Sequence, residues 1–341
     1  MSSGTVTIND VARAAGVSKG LVSLALNDRR GVAPETRDRI LEAARELGWS
    51  PNPSARGLST KRAYALGLIV RRDPHTIEVD PFFAAFIAGV ETVLSERGLV
   101  LVLTVVPDEE AERRAYTRLA ADKRVDGFLL TDLLADDARI PLIDGLGMQA
   151  VSLGEPTNRT PFPVISRDYD TGIDELVAHL VGLGHTKIVH VSGDERMLHG
   201  RKRRERYEHA MIAAGLDPVV VPTDFSPEQG AEATKALLDG ADRPTAIIYG
   251  NDPMAIAGMG VAHERGLRLP QDLSITGLDG SQIGTYVYPS LTTLDNDPTG
   301  WGIAAATALL RLVENDEPAD VALPPARLVV RASTAAPAAG Q

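Results

Sequence analysis

The chain has no cysteine. That excludes disulfides, thiolate zinc sites and cysteine nucleophiles, and it suits a reducing compartment. No stretch approaches the ~18 consecutive apolar residues that a membrane-crossing helix needs. The opening residues, MSSGTVTINDVARAAG, hold no apolar run like that of a secretion signal. A cytoplasmic protein without a membrane partner is the expectation. Lysine is scarce, six residues against 29 arginines. With the many alanines this hints at a GC-rich genome and bears on nothing functional.

Catalytic and metal-binding patterns are also missing. There is no H-E-x-x-H, no Walker A sequence and no G-x-G-x-x-G. The seven histidines show no ligand spacing, and DND at 295–297 is too short for a calcium loop. GVSKG at 16–20 matches the G-x-S-x-G nucleophile elbow, but that motif needs a strand before its serine. Here a helical pattern precedes it, and Ser18 has a simpler task as a helix cap. No catalytic residue, metal site or cofactor is expected, and the chain does not read as an enzyme.

What is present begins with charge. The net charge of −11 is unevenly spread. Residues 1–62 hold 10 basic and 6 acidic side chains, whereas the remainder carries −15. Such a chain offers an anionic polymer a basic end and an acidic body that repels it. Its 341 residues, 44% of them hydrophobic, suffice for two or three domains.

The basic end reads as three helices. Thr7 and Asp10 have capping-box spacing, and Val11, Ala14 and Ala15 give an apolar face. Gly16 ends that helix. Ser18 can cap the next, whose Val22, Ala25 and Leu26 form a second face. A third helix opens at Pro34, presents Ile40, Leu41, Ala44 and Leu47, and ends at Gly48. The first two form a helix-turn-helix, whose second helix would lie in the major groove of DNA. Lys19 can reach guanine O6 and N7 or a phosphate, while Thr7, Ser18, Ser23 and Asn27 can bond phosphates. The same pattern also suits a three-helix bundle that binds protein.

From Ala65 apolar runs alternate with helical stretches: ALGLIV, LVLVLTVV, VDGFLL, QAVSL, KIVHV, PVVVP, TAIIY and LSITG. Such runs indicate parallel strands covered on both faces. About ten of them exceed one comfortable sheet, so the body reads as two α/β subdomains with a small-molecule cleft between them. The tail ASTAAPAAGQ reads as disordered.

VTINDVARAAGVSKGLVSLALN and VAPETRDRILEAARELGWSPNPSARGL resemble the N-terminal region of the LacI/GalR family of bacterial transcription regulators. The resemblance continues through DPFFAAFIAGVE, HLVGLGHTKIVHVSG, DFSPEQG, PTAIIYGNDPMAIAGM, GLRLPQDLSITGLDG and PSLTTL, covering roughly residues 5–334 in consistent order. It implies an all-α helix-turn-helix headpiece at 1–50, a hinge helix at 51–62, and an α/β bilobal core at 63–334 like the periplasmic binding proteins. The core would divide into 63–161 with 295–324 and 162–294 with 325–334, followed by a disordered tail at 335–341.

The hinge, PNPSARGLSTKR, is too short to be helical alone. Asn52 can cap it and Pro53 can open it. The resemblance implies that Leu58 wedges into the minor groove, unstacking a base step, with Arg56, Lys61 and Arg62 supplying positive charge nearby. Burial of Leu58 against the headpiece or a partner hinge is the alternative. Leu24 stands where the family often has a basic base-reading residue, and Gly20 removes another reader. Lys19 is left as the one long polar reader early in the helix, so discrimination should shift toward the hinge and DNA shape.

For the core, the resemblance implies an effector site of Phe82, Phe83, Arg203, Phe225, Asn251 and Asp279. Phe83 could equally be core, Asn251 a helix cap, and Arg203 part of a solvated face, RKRR; Trp301 reads as core rather than as a ligand stack. Arg206 occupies a family glycine position and would narrow the pocket or add charge for an acidic sugar. The implied protein is a homodimeric repressor that binds a double-stranded DNA operator and a small-molecule effector. The tail has Pro337 and no leucine after Leu328, which argues against a tetramerising heptad helix. A binding receptor without a DNA role is the rival reading.

Overall fold

The computed structural model describes residues 6–26, 31–49 and 62–338. The chain divides after Tyr64 into two compact units. The first holds helices α1 (Ile8–Ala14), α2 (Lys19–Leu26) and α3 (Pro34–Glu46). The Thr7 amide and hydroxyl both donate to the Asp10 carboxylate, at 2.9 and 2.7 Å, fixing the start of α1. Gly16 ends it at φ +65°, a conformation costly for any residue with a Cβ. The Ser18 hydroxyl then accepts the Leu21 amide at 3.2 Å and opens α2.

The headpiece core is Val11, Ala12, Ala15, Val22, Ala25, Ile40, Ala43 and Ala44. Two expectations are corrected. Ala12 is buried and Ala14 exposed. On α3, Leu41 and Leu47 stay 40% and 37% exposed while Ala43 turns inward. The inward face is centred between Ile40 and the Ala43–Ala44 pair, and Leu41, ~100° on from Ile40, falls on its far side. The stripe follows Ile40, Ala43 and Ala44.

The second unit contains two six-stranded sheets. The first has β1 (Ala65–Arg71), β2 (Val100–Val106), β3 (Gly127–Leu130), β4 (Gln149–Leu153), β5 (Val164–Arg167) and β11 (Val321–Leu323), ordered β11-β5-β4-β3-β1-β2. The second has β6 (Ile188–Val191), β7 (Val219–Val221), β8 (Ala246–Tyr249), β9 (Ser274–Gly277), β10 (Thr292–Asp295) and β12 (Arg327–Val329), ordered β12-β10-β9-β8-β6-β7. All neighbours are parallel except β10 and β12. The strands β3, β6, β8 and β9 are buried along their whole length, as sheets covered on both faces require.

The covering helices are α4 (Pro74–Val79), α5 (Pro81–Glu96), α6 (Glu109–Ala121), α7 (Arg139–Gly145) and α12 (Pro298–Asn315) on the first lobe. On the second they are α8 (Asp170–Gly182), α9 (Leu198–Ala213), α10 (Pro227–Asp239) and α11 (Asp252–Glu264). Three crossovers join the lobes: after Arg167, after Asp295, and between Leu323 and Arg327.

The first lobe extends past residue 161, the boundary expected from sequence, because β5 pairs with β4 through Ser152 and Val164. Its residues, VISR, hold only two apolar side chains and are mostly half-buried, so no apolar run marks the strand. Of the segment 335–341 expected to be disordered, Ala335 is held against the second lobe. The Ala335 amide donates to the Ser274 hydroxyl at 3.1 Å, and its carbonyl accepts from the His185 ring at 2.9 Å. Among the described residues no helix is long and apolar enough to cross a membrane.

Candidate functional site

In the headpiece, α2 presents Lys19 and Gly20 in its first turn, both exposed, with Ser23 and Leu24 half-buried further along. Ser18 is exposed, with its hydroxyl capping α2. Thr7 is exposed too, its hydroxyl proton directed to Asp10. Asn27, Asn52, Arg56 and Leu58 lie outside the described residues.

In the core, the ends of strands from both lobes converge on one cleft, where open α/β sheets bind ligands. Strand β1 delivers Arg72, β3 delivers Thr131 and Asp132, and β4 delivers Leu153 and Gly154. From the other lobe, β8 leads to Asn251 and β9 to Asp279. An inner cavity of about 110 Å³ carries these residues with Asp80, Phe82, Phe83, Tyr169, His199, Arg203, Phe225 and Trp301. It opens past Tyr169, His199 and Arg203 into a hollow of about 590 Å³. The lobes touch at one side, where Leu134 bridges Met197 and the Leu198 amide donates to Leu133 at 2.8 Å.

All six residues expected at the effector site line the inner cavity. Phe83 is only 2% exposed, so it serves core and wall together. Phe82 stacks on Phe86 and meets Phe83 edge-on at 5.5 Å. Phe225 holds φ +72°, a strained backbone for a bulky residue. Its ring stacks on His199 at 5.2 Å and lies flat on Gly193, where a Cβ would meet ring carbons at 2.0 Å. Arg203 is buried. Its Nη1 donates to the Gly250 carbonyl at 2.6 Å, and its guanidinium sits 5.3 Å from the Tyr169 ring.

Asn251 differs in chemistry from the expectation. Its Oδ1 caps α11 by accepting the Met254 amide, and its Nδ2 donates to Phe225 O, both at 2.9 Å. The amide is committed to its own lobe and faces the cleft as a wall. Arg206 lines the outer hollow, as a residue that narrows the pocket would, but its charge is paired with Asp174 and Asp170 on α8. Exposed pairs of this kind contribute ~0–1 kcal/mol. Arg206→Gln should therefore shift the unfolding midpoint little in chemical denaturation; a large loss would show that the charge has a buried role.

The carboxyls carry the electrostatics. Burial raises Asp279, and the neighbouring Asp252 carboxylate raises it further. Asp252 accepts from the Ser281 amide and hydroxyl and from the Thr293 hydroxyl, at 2.6–2.8 Å. Asp80, the cap of α5, is also raised by burial. Burial would raise Asp132 as well, but the bidentate Arg72 pair at 2.8 and 2.9 Å outweighs it and holds that group down at about 2. Burial pushes His199 down to about 3.

Arg72, Asp80, Asp132, His199 and Trp301 were not in the site foreseen from sequence. Arg72 is a cross-lobe clamp, with Met197 Sδ at 3.2 Å and the Phe225 ring at 5.6 Å. Only its place directly after a buried strand could have signalled it. Trp301 is 5% exposed yet lines both inner cavity and outer hollow.

A helix-turn-helix unit followed in the chain by a bilobal cleft defines a ligand-responsive DNA-binding regulator. Comparison with known proteins gives the same class. Residues 7–52 match the model for bacterial regulatory proteins of the lacI family, and residues 177–334 match a periplasmic binding protein-like domain. The HTH-type transcriptional regulator CelR of Thermobifida fusca is 33% identical over 298 residues, covering 86% of this chain and 87% of CelR. A solved CelR–cellobiose complex superposes with TM-score 0.73 at 30% identity, over 96% of this chain and all of that one. The lac repressor dimer bound to operator and the anti-inducer ONPF gives 0.82 at 28% identity, over 98% of this chain and all of that one. The chain belongs to the LacI family of DNA-binding transcriptional regulators.

Proposed function

We propose that the chain is a cytoplasmic, homodimeric repressor without catalytic activity, released from or recruited to its operator by a neutral, hydroxyl-rich effector held between the lobes. The observation that carries the effector class is the pairing of the cleft cations. Arg72 is matched by Asp132 and Arg206 is matched on α8, while Arg203 donates to the Gly250 carbonyl beside Asp279. An anionic ligand would find two of the three arginines already paired with carboxylates. A sugar would find donors and acceptors for its hydroxyls beside the aromatic faces of Phe82, Phe225 and Trp301. The outer hollow leaves room for more than one ring, and CelR, a relative, is known with cellobiose. Exposed apolar residues on the core, Val100, Leu103 and Val105 on an edge strand and Tyr286 and Tyr288, support pairing with a second copy.

On DNA, Lys19, Gly20 and Leu24 face the groove from α2, with Thr7, Ser18, Ser23 and Asn27 on phosphates. Asn52, Arg56 and Leu58 serve the hinge. The test is binding to the region upstream of the chain's own gene, measured by fluorescence anisotropy across a salt series. Affinity should fall steeply with salt as counterions are released. Deleting residues 1–62 should abolish binding, while thermal shifts with cellobiose and a panel of sugars and nucleosides stay as in the full chain. Specific DNA binding by the truncated core would sink the assignment of the headpiece.

A further inference from the structure

Arg167 sits on the first crossover, and its side chain is only 3% exposed. Its Nη1 donates to the Pro324 carbonyl at 2.8 Å, on the third crossover. Its Nη2 stands 3.8 Å from Asp297 Oδ2, on the second. One guanidinium thus reaches all three connections between the lobes. Its plane lies 5.8 Å from the ring of Trp301, which lines the cleft.

The same spot concentrates unsatisfied polar atoms. Arg167 Nε and Nη2, Asn296 Oδ1 and Trp301 Nε1 are all buried without a hydrogen-bond partner. Buried polar atoms are nearly always bonded, because leaving one unpaired is costly. Here the Arg167 nitrogens and the Trp301 Nε1 go unpaired on neighbouring side chains, and Asn296 precedes Asp297, whose φ of +43° is itself strained. Its Oδ1 caps α12 by accepting the Gly300 amide at 2.9 Å, leaving Oδ2 facing Arg167. A displacement of the second crossover by about one hydrogen-bond increment would complete an ion pair that is incomplete here. The buried Arg167 guanidinium and the Asp297 carboxylate, 54% exposed, would form a two-state joint by closing this pair in one lobe arrangement and opening it in the other.

We propose that Arg167 is a positioning residue for the effector response: it ties the three crossovers and passes the seating of a ligand against Trp301 to the angle between the lobes. The proposal rests on reading the cleft as the effector site, yet its core, control of the interlobe angle, is measurable without any ligand.

The cysteine-free chain makes the measurement direct. Arg118→Cys on α6 and Ile212→Cys on α9 place one exposed label on each lobe of the full-length protein. Electron–electron double resonance then reads the distance distribution between them. In such two-state proteins the minor conformer is populated to ~0.1–10%. Arg167→Met keeps the length and the packing on Trp301 but removes every donor, and should redistribute the two populations at least several-fold. Arg167→Lys, which keeps the charge, should fall between Met and the parent. A folded Arg167→Met chain with the parent's distribution would overturn the proposal. Should that variant not fold, Asp297→Asn decides, since asparagine still caps α12 but loses the charge facing Nη2. An unchanged distribution in Asp297→Asn and Arg167→Lys would then overturn it. Failure of every sugar and nucleoside to bind would remove the effector reading and leave the distance result standing.

Discussion

Replacing Arg139 by methionine is expected to destabilise the core by roughly 3–5 kcal/mol, the range for removing one partner of a buried ion pair. Arg139 is 7% exposed and Glu112 and Asp137 are each 2% exposed. Its Nε and Nη2 form a fork onto Asp137 at 2.9 and 2.7 Å, and Nη1 reaches Glu112 at 3.4 Å. The same Nη2 accepts no substitute, because it also donates to the carbonyls of Thr131 and Asp132 at 2.9 and 3.1 Å. Methionine fills the volume but leaves the buried Asp137 without its cation and Glu112 with Arg71 alone, at 3.5 Å. Burial already raises Glu112, so the under-compensated pair would be forced to take up protons.

The effect should reach the cleft. Asp137 in turn accepts the Leu134 amide at 3.0 Å, and Leu134 is the residue that bridges Met197 in the other lobe. Arg139 therefore shapes the loop that carries Asp132 and closes one side of the site. Urea denaturation measures the stability loss, and the double variant with Glu112→Gln should recover part of it. A loss below about 1 kcal/mol in the single variant would mean the network is paired otherwise.

That network shows what the sequence could and could not disclose. The headpiece was legible because its information is local: Thr7 caps with Asp10, Gly16 turns, and Val11, Ala15, Val22 and Ala25 repeat at helical spacing. The central strands were legible as apolar runs. The six effector positions came from resemblance, and the structure gathers them in one cavity. Arg72 and Arg167 were not legible, because they act through partners 60 and 157 residues away, and Arg139 ties its neighbour Asp137 to Glu112, 27 residues away. Nothing in an isolated arginine marks it as buried. Asn251 shows the converse: its residue type fitted a ligand contact, but its amide is spent on a cap and on Phe225.

The second large effect is expected from His190, which burial pushes down to about 4. The ring is 1% exposed, one nitrogen donates to Ile248 O at 2.9 Å, and the other is buried without a partner. The folded state therefore keeps this ring neutral, while the unfolded chain protonates it near pH 6.5. Below that pH the unfolded state binds the extra proton, so stability falls as pH drops from 6.5 to about 4 and changes no further below. The fall from 6.5 to about 4 corresponds to about 3 kcal/mol, a large part of a typical folding free energy. His185 and His179 are lowered by burial too and act in the same direction. Asp279 and Asp80 act against them. Their raised carboxyls keep a proton in the folded state that the unfolded chain releases, so their contribution weakens as pH rises. The parent's acid limb is thus a sum of opposing terms, and the informative quantity is a difference. His190→Gln retains a donor for Ile248 O and cannot titrate. The stability gap between it and the parent should shift in the variant's favour by about 3 kcal/mol between pH 7 and pH 4. Urea titrations at each pH give this gap. A gap constant across that window would show that His190 takes up its proton in the folded state as freely as in the unfolded one.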